Sequence, residues 1–192
     1  MVKLSSSFQA LLLASAVCAP LVAAADTPSD RITGAYVDLG RAPHGADSSN
    51  SLTLGVAVPY ALTESMRSGA LSFYGDYFLS VWNAPLPRDQ GGWHNYYQIG
   101  AIGTFRWRFA GGDSPWYTEA GIGVTQMNDI YHTPDREFST RFQFTEALGV
   151  GYSFGAERRQ EVSLRFQHFS NADIKTPNPG ENWFRVRYLY RF

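Results

Sequence analysis

The sequence has almost no cysteine: its one thiol, Cys18, lies inside an apolar run near the amino terminus. No disulfide framework can be built from it. Excess charge of either sign is also missing, with a formal net of −1, so nothing argues for nucleic acid as a partner. Beyond residue 25 no apolar run approaches the roughly 20 residues that a membrane helix needs. Three of the four histidines, His44, His94 and His132, stand singly in expected loops without ligand spacing. Neither a metal nor any other cofactor is expected.

What is present begins with an export pattern. Lys3, an apolar run over residues 10–22 and the small-residue site Ala23-Ala24-Ala25 read as a cleaved secretory signal peptide, residues 1–25. Val17, where a lipoprotein signal needs a small residue, argues against a lipid anchor on Cys18. Residues 26–192 have the length of a single domain. Aromatics make up 15% of the chain and glycine is plentiful, so an exported, helix-poor chain must place many large rings.

Period-two alternation places them. Eight runs carry it, at about 31–40, 51–60, 70–82, 95–109, 116–127, 140–154, 160–171 and 183–192. In the last, Phe184, Val186, Tyr188, Tyr190 and Phe192 share one side, while Arg185, Arg187 and Arg191 share the other. In the fourth, Tyr97, Ile99, Phe105 and Trp107 oppose Gln98, Thr104, Arg106 and Arg108. A soluble sandwich also alternates, but it turns its apolar side inward and its charges outward. The export signal, strands long enough for a tilted span, tryptophans near strand ends (Trp82, Trp93, Trp107, Trp116, Trp183) and a terminal Phe192 favour the other solution. The expected fold is all-β, an eight-stranded antiparallel transmembrane β-barrel of the outer membrane. Its lumen is just wide enough to be filled by side chains, so Asp76, Glu119, Arg106, Arg165 and Arg187 are expected to form a packed polar network.

Connections alternate between short ones near 110–115 and 155–159 and longer ones at 41–50, 83–94, 128–139 and 172–182. Short turns are periplasmic and long loops extracellular, so the seventh run ends, at Ser170, on the cell-surface side. There the parity breaks. Val162, Leu164, Phe166, His168 and Ser170 share the lipid-facing side, which sets an imidazole and a hydroxyl two residues apart in a greasy column.

Closing the hairpin of runs six and seven symmetrically sets Phe154 against Gln160, and then Tyr152 against Val162, Val150 against Leu164 and Leu148 against Phe166. The apolar sides match, which supports the register. The next pair is Glu146 with His168, at about 4.5–5.5 Å between Cβ atoms if directly opposed. Glu181, in the loop downstream, is a second candidate acid, and spacing does not choose between them. A histidine with a carboxylate on one nitrogen and a hydroxyl on the other is an acyl-transfer arrangement. Asn171, Asn178 or backbone amides around Pro177 and Gly180 are candidate donors to an oxyanion, although asparagine is more often a turn former. A catalytic group on the outside of a barrel meets only molecules lying in the bilayer. At the outer end these are outer-leaflet lipids, chiefly lipopolysaccharide, whose lipid A carries ester-linked acyl chains.

The stretch HFSNADIKTPNPGE, 168–181, resembles the PagL family of outer-membrane lipid A 3-O-deacylases. The likeness extends more weakly to WYTEAGIGV, 116–124, and FQFTEALGVGYSFG, 142–155. The resemblance implies an eight-stranded barrel with a His-Ser-Glu triad: His168 as base, Ser170 as nucleophile, Glu181 as orienting acid and Asn178 near the oxyanion. It also implies lipid A, or whole lipopolysaccharide, as substrate. Some members carry one more residue between the serine and the glutamate, and a glycine where this chain has Asp173. Two other readings compete: an outer-membrane phospholipase A, and a small non-enzymatic barrel acting as an adhesin or a structural wall protein. The pattern leaves a homodimer open.

Overall fold

The computed structural model describes residues 34–44, 47–66 and 70–192. The expected signal peptide, 1–25, lies outside them. Among the described residues the chain forms eight strands: β1 (Gly34–His44), β2 (Asp47–Tyr60), β3 (Leu71–Pro85), β4 (Trp93–Arg108), β5 (Trp116–Met127), β6 (Phe142–Phe154), β7 (Gln160–Ser170) and β8 (Glu181–Arg191). Each pairs antiparallel with the next, and β8 closes on β1, so the sheet is a barrel without an edge. In a bilayer this closure is obligatory, because unpaired backbone groups have no water to bond.

The parity read from the sequence is the parity of the barrel. Leu39, Leu54, Leu79, Ile99, Ile122, Leu148, Leu164 and Phe184 point outward and are exposed. Asp38, Asp76, Arg106, Glu119, Glu161, Arg165, Arg185 and Arg187 point inward and are buried. Inside, Arg187 Nη1 lies 2.7 Å and Arg165 Nη1 3.3 Å from Asp76, which also accepts the Tyr36 hydroxyl. Arg106 Nη2 lies 2.6 Å from Glu119 and 2.8 Å from Glu161. All five residues expected in the lumen network belong to it. Asp38 joins through Arg185 and Arg187, and Glu161 through Arg106 and Arg191.

The outer connections differ from expectation in three places, the last being 172–182, whose Glu181 and Asn182 begin β8. The stretch 41–50 is not a loop: β1 and β2 remain paired up to His44↔Asp47. Its small polar residues resemble a turn in composition, yet Ala42 and Ser49 are buried, and Ser49 Oγ lies 2.7 Å from the Tyr131 hydroxyl. Likewise β3 and β4 continue to Pro85↔Trp93, which places His94 in a strand, edge-on to Tyr96. The 128–141 connection folds over the mouth of the barrel. Tyr131 and Phe138 from it, with Trp82, Tyr96, Phe169 and Trp183 from the strands, form a buried aromatic cluster. Trp82 and Trp183 are therefore lumen residues and not part of an interfacial belt, whereas Trp93, Trp107 and Trp116 are exposed. Alternation decides the face, and both buried rings have the parity of inward residues.

Candidate active site

β7 is held from the inside. Phe169 is fully buried, its ring edge-on to Trp82 at 4.8 Å. Gln167 Nε2 donates to Thr145 Oγ1 at 2.9 Å, and Thr145 Oγ1 donates to the His168 carbonyl at 2.8 Å. With the inward residues fixed, the pleat sends His168 and Ser170 to the opposite face. Both are half-buried there, at the outer end of the strand. Ser170 pairs with Phe144, whose ring is edge-on to Phe142 at 5.1 Å, so the hydroxyl borders apolar surface. The Ser170 hydroxyl makes no hydrogen bond among the described residues.

The register between β6 and β7 is the one that the hairpin arithmetic predicts, with Glu146 opposite His168. The two residues oppose each other without bonding: Glu146 is exposed, and no hydrogen bond joins its carboxylate to the imidazole. Glu181 lies elsewhere. In the β7–β8 ladder it pairs with Phe169, so its side chain enters the barrel, where it is buried and its Oε2 accepts the Tyr131 hydroxyl at 3.1 Å. Burial, together with the charge of Glu181, pushes the Tyr131 phenol well above its ordinary range, which keeps it an O–H donor.

The partner of the imidazole is Asn182. It pairs with His168 across the ladder, shares the outward face, and its Oδ1 lies 2.7 Å from His168 Nδ1. A carbonyl oxygen accepts, so Nδ1 carries the proton and Nε2 is left as the base. Sequence reasoning passed over Asn182, although a signal existed. Phe184 and Val186 were already assigned outward, and period two then puts residue 182 outward and residue 181 inward.

The loop between β7 and β8 closes on its own asparagines. The Asn171 backbone N–H donates to Asn178 Oδ1 at 3.0 Å, and Asn178 Nδ2 donates to Asp173 at 3.0 Å. Asn171 Nδ2 donates to both Ser139 Oγ at 2.9 Å and the Lys175 carbonyl at 2.7 Å, which uses both its hydrogens. Asn178 keeps one. Arg136 pins the end of the loop by donating to the Pro179 carbonyl at 2.9 Å. Gly180, at φ +64°, passes so close to the imidazole that a Cβ there would lie 2.6 Å from His168 Cε1 and 3.1 Å from Nε2. Glycine is required on both counts.

A barrel whose outward face carries an imidazole, a hydroxyl and an amide at its outer end can be set beside known proteins. The lipid A 3-O-deacylase (PagL) family model matches residues 51–191. A lipid A deacylase PagL of Bordetella bronchiseptica is 36% identical over 124 residues, 65% of this chain and 65% of that protein's length. A second, of Pseudomonas aeruginosa, is 26% identical over 172 residues, 88% of this chain and 95% of its own. Among solved structures, the crystal structure of the outer membrane enzyme PagL superposes with a TM-score of 0.63 at 24% identity, covering 82% of this chain and 99% of that one. The fold is shared further with Neisserial surface protein A, at a TM-score of 0.50 and 12% identity, over 83% of this chain and 96% of that one. The family match runs from β2 to the last residue of β8 and takes in every residue of the site just described. The chain belongs to the lipid A 3-O-deacylase (PagL) family.

Proposed function

We propose that this protein is a serine esterase of the outer leaflet that hydrolyses the ester-linked acyl chain at position 3 of lipid A. The observation that carries this reading is the pair His168 and Ser170 on the lipid-facing side of β7 at its outer end. Only a substrate embedded in the membrane reaches that face. Ser170 Oγ attacks the ester carbonyl while Nε2 of His168 takes its proton. Collapse of the tetrahedral intermediate breaks the bond to the sugar oxygen, which receives that proton from Nε2. Water then attacks the acyl-enzyme, His168 again acting as base, and the fatty acid leaves as Ser170 recovers its proton.

Along the strand the two residues are about 6.6 Å apart at about 3.3 Å per residue. Their hydrogen bond forms as the substrate seats, as is common for catalytic pairs seen without substrate. For the oxyanion, the uncommitted hydrogen on Asn178 Nδ2 favours that residue over Asn171, whose amide is saturated. Glu181 enters this reading as an anchor at the start of β8, through Tyr131, and Glu146 as a neighbour on the outer face.

The test is mass spectrometry of lipid A from cells with and without the protein. Expected is loss of one 3-linked acyl chain with the wild type and none with Ser170→Ala or His168→Ala, each folded as judged by heat-modifiable gel mobility. Full activity in either variant refutes the assignment. Release of fatty acid from phosphatidylethanolamine with lipid A intact would make the protein a phospholipase A.

A further inference from the structure

We infer that Asn182 is the positioning residue for His168, so that the triad of this chain is completed by a neutral amide in place of an acid. The inference rests on the esterase reading above and deepens it. Three observations carry it. Asn182 Oδ1 is the side-chain partner on Nδ1, at 2.7 Å. Asn182 stands directly opposite His168 in the β7–β8 ladder, so backbone pairing on both strands fixes the approach of the two side chains. Both carboxylates nearby are otherwise placed: Glu181 points into the lumen, bonded by Tyr131, and Glu146 faces the ring from β6 without bonding it.

The arrangement suits its surroundings. An orienting group must accept the Nδ1 proton, hold the ring plane and leave Nε2 free. A carbonyl oxygen does all three. A carboxylate does them more strongly but brings a full charge to a column that faces lipid, where ionised side chains are expensive. The amide gives up part of the stabilisation of the imidazolium and carries no charge into that environment. Gly180 bounds the ring from the other edge, where a Cβ would come within 2.6 Å of Cε1.

The charged groups around the ring are Glu146 from β6, Glu181 through the sheet from β8, and Arg136, whose guanidinium sits on the Pro179 carbonyl. All are present in every variant that changes residue 182 alone. Asn182→Leu keeps the size of the side chain, suits the lipid face and removes the acceptor. It is expected to lower kcat about 100-fold with KM within about threefold, the range for loss of a group that orients another. Asn182→Asp restores the acceptor. It is expected to recover most of kcat and to move the acidic limb of the pH–rate profile to higher pH, because a carboxylate beside the imidazole favours its protonated form.

The assay is acyl release from purified lipid A in detergent by the full barrel, with fluorophosphonate labelling of Ser170 as a second readout of nucleophile activation. Labelling is expected to slow in Asn182→Leu in proportion to kcat. Asn182→Leu within twofold of wild type, or Asn182→Asp as inactive as Asn182→Leu, overturns the inference while the esterase reading stands. A larger loss in Glu181→Gln than in Asn182→Leu also overturns it, and returns the orienting role to the acid. Activity surviving in Ser170→Ala and His168→Ala would instead remove the reading beneath it.

Discussion

Gly180→Ala displaces the imidazole without changing any group that reacts. The new Cβ would stand 2.6 Å from His168 Cε1, against the 3.4 Å at which ordinary contact begins, a shortfall of about 0.8 Å. The neighbouring contacts are the Phe169 carbonyl and Nε2 itself, so the ring must give way. It is held on its far edge by Asn182, and tilting it stretches that bond. A misplacement near 1 Å costs on the order of 100-fold in rate. Substitution also strains the backbone, since φ is +64° and an L-residue there loses about 1–2 kcal/mol. Gly91 separates the two effects: its φ is also +64°, and nothing lies within 4 Å of its added Cβ. Both alanine variants are expected to lower stability in urea titrations of the micelle-folded protein, Gly180→Ala by at least as much as Gly91→Ala. Only Gly180→Ala is expected to lose deacylation, by about two orders of magnitude in initial rate on purified lipid A. Equal activities for the two variants would show that the 180 backbone does not position His168.

The lumen network predicts a large loss from one deletion. Arg106→Leu strips Glu119 and Glu161 of their shared guanidinium deep in the barrel, and about 3–5 kcal/mol of stability is expected to go with it, read from the urea midpoint. A loss below 1 kcal/mol would mean that water reaches those carboxylates. On the outer face, Leu148→Arg places a charge midway along β6 and is expected to cost about 2–4 kcal/mol when the barrel folds into bilayers, but little at a soluble surface. A neutral result in bilayers would place that face out of lipid.

The strand pattern was legible because one rule governs every residue: in a closed barrel each position faces either lipid or lumen. Thus Phe105 and Arg106, or Phe184 and Arg185, sort correctly without any knowledge of contacts. The same rule gave the β6–β7 register, since one pairing alone matches Leu148 with Phe166 and Val150 with Leu164. Where composition replaced parity, the reading went astray. The polar stretch 47–50 looked like loop and is strand, because Ser49 satisfies the buried Tyr131 hydroxyl, a contact 82 residues away in sequence. Trp82 and Trp183 stand near strand ends as Trp93, Trp107 and Trp116 do, yet they have inward parity and cap the lumen. The fold of the 128–141 connection into the barrel mouth leaves no periodic trace, so Tyr131 as a partner of Glu181 could not be anticipated.

Glu181 and Asn182 show how finely the site depends on chain length. They are consecutive residues of one strand, so they must face opposite sides of the sheet, and only one can meet His168. Which one does is set by the number of residues between Ser170 and the start of β8, because a slip of one residue exchanges every inward and outward side chain. In this chain the count turns the acid inward, where Tyr131 holds it, and turns the amide outward, where it meets Nδ1. The asparagine-stitched loop thereby acts on the chemistry through the path of the chain as well: Asn171, Asn178 and Asp173 fix the turn, Arg136 pins its end, and the register of β8 follows. The lumen contributes in the same indirect way, since Phe169 packed on Trp82 prevents β7 from rotating its outward residues off the face that lipid reaches.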